Sequence, residues 1–297
     1  MRTVAVIAPT DCGDALIREC APHLPGVGWR LTGVGGGPGE AGERAAVLVL
    51  IGGDADGLFR EWERGGARGG ALWAPAAASA RLVREVFRRA RRLGMALSLS
   101  RPWRWDPGFA KVAELVGANL PAPPRRVILT ATPAAAGATG AYGTGLAWKL
   151  RPHLDLCRWL LGRDKALPEV TLRASPAAIL ADWGDGQGAE IVLGAAAAGT
   201  GVAGLRVEGD GGHVCLSADR SAVEVEVALP GVGARSFLRP VLAGCGTALE
   251  IGGLLAAVRC GTALPATPAA EAAREFETLE TVAKALRRIR VPDGASS

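Results

Sequence analysis

Three histidines (His23, His153, His213), four lysines (Lys111, Lys149, Lys165, Lys284) and one tyrosine (Tyr142) are all that 297 residues offer of those types. Proton-transfer chemistry must draw on this short set, on carboxylates or on a thiol. The six cysteines (Cys12, Cys20, Cys157, Cys215, Cys245, Cys260) form no C-x-x-C pair and no metal-ligand spacing, so no metal site is expected and reduced thiols in a cytoplasmic protein are. Long uncharged apolar runs are missing too: the nearest, 241–258, is interrupted by Glu250 and by glycines, which excludes a membrane span. The opening MRTVAVIAP lacks the pattern of a secretory signal.

The chain is rich in small residues, with 42 glycines, and takes its positive charge almost wholly from arginine; the net charge of +5 is modest for the length. The arginine excess reflects the coding bias of a GC-rich genome, since arginine replaces lysine on solvated faces without changing a fold. Six arginines crowd residues 81–92, but apolar residues recur there at helical spacing and the arginines take the other face. Without aromatic interleaving this excludes a nucleic-acid or membrane-surface role.

Short β-branched runs (3–8, 45–51, 71–73, 95–99) alternate with helical patterns (14–20, 55–64, 80–93) over the first hundred residues, which predicts a parallel sheet flanked by helices. Beyond a proline-rich joint at 120–124, strands dominate: 127–132, 169–174, 177–182, 190–193, 204–208, 213–217 and 223–227, with VEVEV alternating as a half-exposed strand does. One helix (152–161) is embedded among them, and two close the chain, the last at 269–288. The expected fold class is thus α/β plus α+β: a parallel-sheet domain over 1–120 and a mainly antiparallel, open-sheet domain over 121–297.

This order resembles the Gfo/Idh/MocA family of nicotinamide-dependent oxidoreductases across essentially the whole chain. The resemblance is carried by RLVREVFRRARRLGMALSLSRPWRWDPGFAKVAEL, by HLDLCRWLLG, by the hairpins from AAILADWGDGQ to GDGGHVCL, and by LPATPAAEAAREFETLETVAKALRR. It implies a Rossmann-like first domain, oligomerisation through the open sheet of the second, and a site between them.

Measured against that family, the chain departs at its chemistry. The glycine fingerprint between first strand and first helix reads Ala8, Thr10, Gly13, and only the third position is glycine. The acidic residue after the second strand is replaced by LTGVGGGPG, and the stretch 35–44 is too short for a full structural unit, so the first domain is expected to be trimmed. The family's Glu-Lys-Pro turn reads Trp73-Ala74-Pro75. If Asp155 takes the family's helix aspartate, the histidine position falls on Pro152, and His153 lies about 100° round the helix from it.

What the resemblance implies is therefore a member that has lost NAD(P) binding and hydride transfer, with Gly13 and Thr10 as remnants of a cofactor site and no cofactor expected. It would serve as an accessory subunit, a homo- or hetero-oligomer through its second-domain sheet, paired with an active paralogue in bacterial specialised metabolism. The alternative is a repurposed enzyme: an NAD(P)-dependent reductase with altered cofactor binding, or non-redox chemistry on a small molecule in the interdomain cleft. For that reading the catalytic candidates are His153, Asp155, Lys149 and Tyr142, and the substrate-binding candidates are Arg104, Arg151, Trp73, Trp103, Trp105 and Trp148.

Overall fold

The computed structural model describes residues 2–32, 45–52, 55–63, 67–75, 78–120, 123–132, 150–162, 167–174, 177–193, 201–216, 222–229, 233–241, 245–262 and 267–288. The chain divides into two compact units, Met1–Asp106 with Gly244–Phe276, and Pro107–Ala243 with Glu277–Ser297. The sequence reading drew one division near residue 120 and gave everything after it to the second domain; the first unit instead includes a late segment of the chain.

In the first unit, β1 (Arg2–Ile7), β2 (Val27–Thr32), β3 (Ala45–Ile51), β4 (Ala67–Ala74) and β5 (Leu97–Leu99) form a parallel sheet in the order β2-β1-β3-β4-β5. Val4, Ala5, Val6 and Ile7 are all buried, which is why β1 is apolar without alternation. β2 and β3 flank β1 on opposite sides, so the direction of winding reverses there. Among the described residues the sheet ends at β2; the stretch 35–44, expected from the sequence to be too short for a full structural unit, lies outside the described residues.

One sheet face is covered by α1 (Thr10–Cys20) and by α7 (Gly246–Cys260). Val4, Val6, Val47, Val49 and Leu72 pack there with Ala248, Ile251, Leu254 and Leu255. A helix from the far end of the sequence thus completes the core of the first unit. α2 (Asp56–Glu63) and α3 (Ala80–Arg92) complete the helical set before the short α4 (Pro102–Trp105). α3 opens on Ser79, whose hydroxyl accepts the Leu82 N–H, and it buries Val83, Val86, Phe87 and Ala90 while Arg81, Arg84, Arg88, Arg91 and Arg92 stay exposed.

The second unit is built on an eight-stranded sheet, in the order β13-β12-β11-β10-β6-β9-β8-β7. Its strands are β6 (Pro124–Thr132), β7 (Glu169–Ala174), β8 (Ala177–Gly184), β9 (Gln187–Leu193), β10 (Gly201–Gly209), β11 (Gly212–Leu216), β12 (Ala222–Leu229) and β13 (Gly233–Pro240). Among the described strands of this sheet, only β6 and β9 pair in parallel. Val127, Leu129, Ile191, Leu205, Val207, Val214, Val223 and Val225 are buried, with α5 (Pro107–Gly117) packed on β11 and β12 and α6 (Arg151–Leu160) on β6. α8 (Ala269–Arg288) contributes buried Leu279, Val282 and Leu286.

The other face of the sheet carries ion pairs: Glu190 bridges Arg126 and Arg173, and Arg206 pairs with Glu208 at 2.8 Å. β13, all eight residues exposed, was not read as a strand because GARSFLRP has no alternation to betray an edge. His213 lies in β11, within the strand expected at 213–217, with its ring half-sheltered and Nδ1 3.8 Å from Glu226. No described helix is long and apolar enough to cross a membrane.

All six cysteines are free. Burial, with Cys245 and Glu19 close by, pushes the Cys20 thiol up from 9.0 to about 12, and burial with Asp155 pushes Cys157 up as well. Both thiols bind their protons more tightly folded than unfolded, so their contribution is complete below pH 9.0 and is lost as pH rises toward the folded values. Urea melts are expected to show stability falling as pH rises from about 9.0 toward about 10.5, with a smaller fall in Cys157→Ala. A thiol reagent should label exposed Cys12 and Cys260 in the native protein but reach Cys20 and Cys157 only on unfolding; rapid native labelling of all six would contradict this burial.

Candidate functional site

Two features of the first unit can carry chemistry. The first is the carboxyl edge of its sheet at the reversal point between β1 and β3, where ligands bind in open α/β folds. β1 runs into Ala8, fully buried, and Pro9, and α1 starts at once. Gly13 N–H closes on the Pro9 carbonyl at 2.9 Å, and Pro9, at the N-cap, makes no side-chain cap bond, so the first-turn amides are of the kind that can bind an anion. A Cβ on Gly13 would stand 2.2 Å from Leu31 Cδ1, so α1 lies against β2 as closely as glycine permits.

This edge fits a dinucleotide in part. The helix terminus and the packing glycine are present. Ala8 and Thr10 add Cβ atoms at the other two fingerprint positions, and exposed Asp11 puts a carboxylate in the first turn. At the neighbouring strand ends, Trp73 is fully buried in β4 and donates Nε1–H to the Gly52 carbonyl at 3.2 Å, and Ala74 follows it.

The second feature is a cavity of about 190 Å³ beside β5, lined by Leu72, Leu254, Arg104, Trp105, Glu250 and Glu271 among others. A buried ionic cluster stands behind it. Arg101 donates Nε and a terminal nitrogen to Glu275 at 3.1 and 2.9 Å, and its other terminal nitrogen to Glu271. Glu250 accepts the Arg101 backbone N–H at 2.8 Å and the Ser100 hydroxyl at 2.9 Å. Arg104 reaches Glu271 at 3.5 Å. α4 can sit on α7 because Gly246 and Gly253 face it: a Cβ would meet the Pro102 carbonyl oxygen at 2.1 Å and the Trp105 ring at 2.6 Å.

Of the residues expected at a site, Arg104 and Trp105 come together in this cavity, while Trp73 and half-buried Trp103 lie elsewhere in the same unit. His153 and Asp155 are buried in α6 of the second unit, beside buried Arg158, with Arg151 half-buried at the helix start. Thr10 opens α1, but its side chain lies outside the described residues, as do Tyr142, Trp148 and Lys149. Sequence reasoning missed Arg101, Glu250, Glu271 and Glu275. A lone carboxylate in an otherwise apolar helix (Glu250) and two carboxylates at i, i+4 (Glu271 and Glu275) were the available signals.

These two units, one on a parallel sheet and one on a mainly antiparallel sheet, match the two-domain fold of Gfo/Idh/MocA-type oxidoreductases, as solved structures bear out. UDP-N-acetylglucosamine 3-dehydrogenase GnnA from Acidithiobacillus ferrooxidans is similar with a TM-score of 0.70 and 13% identity, over 97% of this chain and 100% of that one. An oxidoreductase from Agrobacterium radiobacter in complex with NAD+, L-tartaric acid and magnesium has a TM-score of 0.69 and 15% identity, over 97% of each chain. A mutant of KijD10, a 3-ketoreductase from Actinomadura kijaniata in complex with TDP-benzene and NADP, has a TM-score of 0.63 and 18% identity, over 94% of this chain and 96% of that one. No family model and no curated protein matches the sequence.

The comparison corrects one expectation. Loss of the cofactor was inferred from Ala8 and Thr10, from the missing acidic residue after the second strand and from the missing lysine and histidine, yet proteins of this fold hold NAD+ and NADP, which points to nucleotide use and not to none. Two added Cβ atoms change how closely a backbone can approach a pyrophosphate; they leave the helix terminus in place.

The ionic cluster makes a direct prediction. Arg101→Met leaves Glu275, 1% exposed, without its guanidinium, and stability should fall by about 3–5 kcal/mol in urea denaturation. Adding Glu275→Gln should restore part of the loss, and a loss below about 1 kcal/mol for the single substitution would show that the cluster does not hold the unit together.

Proposed function

We propose that this chain is an oxidoreductase of altered cofactor grip: it holds a nicotinamide dinucleotide at the carboxyl edge of the five-stranded sheet and acts on a small molecule. The observation that carries this reading is the uncapped first turn of α1, set against β2 by Gly13 at the point where the sheet reverses its winding. The α1 amides would hold the pyrophosphate, and the added Cβ atoms of Ala8 and Thr10 would set it farther from the backbone than three glycines do. Bound there, the group supplies a hydride donor or acceptor. His153 with Asp155 is the acid–base pair of this reading, with Lys149 and Tyr142 as further candidates and Arg151 on the substrate side. Six free cysteines suit a reducing, cytoplasmic setting.

A second reading keeps the dinucleotide but not turnover, and is favoured by Ala74, which stands where the family it resembles carries a lysine. In it the chain is an accessory subunit that pairs, through the charged face of its eight-stranded sheet, with an active paralogue. Arg126, Arg173 and Arg206 alternate there with Glu190 and Glu208, a pattern that sets register more than affinity.

Titration with NADH and NADPH, followed by quenching of the eight tryptophans, tests both readings. Saturable binding with a Kd below about 1 mM is expected. Gly13→Val should weaken it and lower stability by about 1–3 kcal/mol, because Leu31 has to yield to the new side chain. Absence of saturable quenching with either nucleotide would overturn the proposal. Binding without turnover, together with co-purification of a paralogue, would select the second reading.

A further inference from the structure

We propose that Cys20 and Cys245 form an oxidant-sensitive dithiol of the first unit, a modification site at which a hydroperoxide joins α1 to α7 through a disulfide. The two thiols belong to one apolar cluster with Val4, Ala8 and Ala248: Cys20 ends α1 and is fully buried, and Cys245 is the N-cap of α7 and is half-buried. A side-chain hydrogen bond links them, with Cys20 as the donor. Cys245 Sγ also accepts the Ala248 N–H at 3.4 Å and donates to the Glu19 carboxylate at 3.3 Å. The dinucleotide edge lies at the opposite end of α1, so the pair stands or falls independently of it.

The surroundings divide the roles. Cys245 is the sulfur that solvent reaches, and the Ala248 amide in the first turn of α7 favours its thiolate, as helix N-termini do. Against that, burial and then the Glu19 carboxylate that accepts its proton hold the Cys245 thiol above its ordinary range, so the pair stays reduced until an oxidant is in excess. When Cys245 ionises, its sulfur attacks a peroxide oxygen: the S–O bond forms as the O–O bond breaks, leaving a sulfenic acid and one water. Cys20 then gives up its proton and attacks the Cys245 sulfur; the S–S bond forms as the S–O bond breaks, and a second water leaves. Two thiols lose two electrons and two protons, and one hydrogen peroxide is reduced to two waters. The bond closes residues 20–245 into a single loop, and cross-links across long loops restrict the unfolded chain most.

Peptide mapping of the full chain after treatment with hydrogen peroxide and alkylation tests this. A Cys20–Cys245 cross-link is expected, reversed by dithiothreitol, with a higher urea midpoint while it is present. In Cys20→Ala the reaction should stop at Cys245, whose sulfenic acid dimedone traps. Cys245→Ser, which puts a favoured capping residue at the start of α7 and so keeps the fold, should form no cross-link. Glu19→Gln, at an exposed position, should form the disulfide at least about twofold faster, because the thiol loses the carboxylate that holds its proton. Absence of the cross-link in the unaltered chain, pairing of Cys20 or Cys245 with Cys12 or Cys260 in its place, or no acceleration in Glu19→Gln overturns the proposal.

Discussion

Burying the Arg101 guanidinium imposes a condition that the first unit is built to meet. A charge at 8% side-chain exposure must be paired and hydrogen-bonded, and its partners Glu271 and Glu275 lie about 170 residues later in the chain. Glu250 takes the Arg101 backbone N–H and the Ser100 hydroxyl, so the end of β5 is tied to α7 and to the first turns of α8. Once α7 is held there, its apolar residues Ala248, Ile251, Leu254 and Leu255 cover Val4, Val6, Val47 and Val49. The sheet's apolar face and the ionic cluster therefore depend on one helix placement. The cavity is the gap left between that helix and α4, which glycines at 246 and 253 allow to approach.

Local signals made much of the architecture legible. Apolar runs at 3–8 and 45–51 are strands because both of their faces are buried, VEVEV is half-exposed because Val223 and Val225 point inward, and the last helix lies at 269–288 as its periodicity indicates. Elements whose stability comes from elsewhere were not legible. β13 is an exposed edge with no patterned face, and His213 is sheltered by Glu226 across a strand pair that no local spacing reveals.

The candidate site divides in the same way. Arg104 and Trp105 stand out in SRPWRW, but the partners that shape their cavity join through contacts across 149 to 174 residues. Glu250 was visible as the one charge in an apolar stretch, and that oddity was used only to exclude a membrane span. A carboxylate in the middle of an apolar helix also demands a buried donor, and the two donors it found are Ser100 and Arg101. His153 and Asp155 were picked out by residue type, and type says nothing of burial; both lie inside the second unit at 8% and 4% exposure.

The three fingerprint positions do different jobs, and separating them changes what their substitution means. The third exists for the protein's own packing: at Gly13 a Cβ would run into Leu31, and glycine is retained. The other two serve the tight turn and the close approach of a pyrophosphate, and there the chain carries Ala8, which is accommodated without exposure, and Thr10. Glycine stands at 13, 246 and 253, where a Cβ would meet the Leu31 side chain, the Pro102 carbonyl and the Trp105 ring, while alanine and threonine stand where the turn and the approach of a ligand are set. The helix terminus is present beside that turn, and Ala8 and Thr10 bear on how closely a ligand's contacts with the backbone could form there.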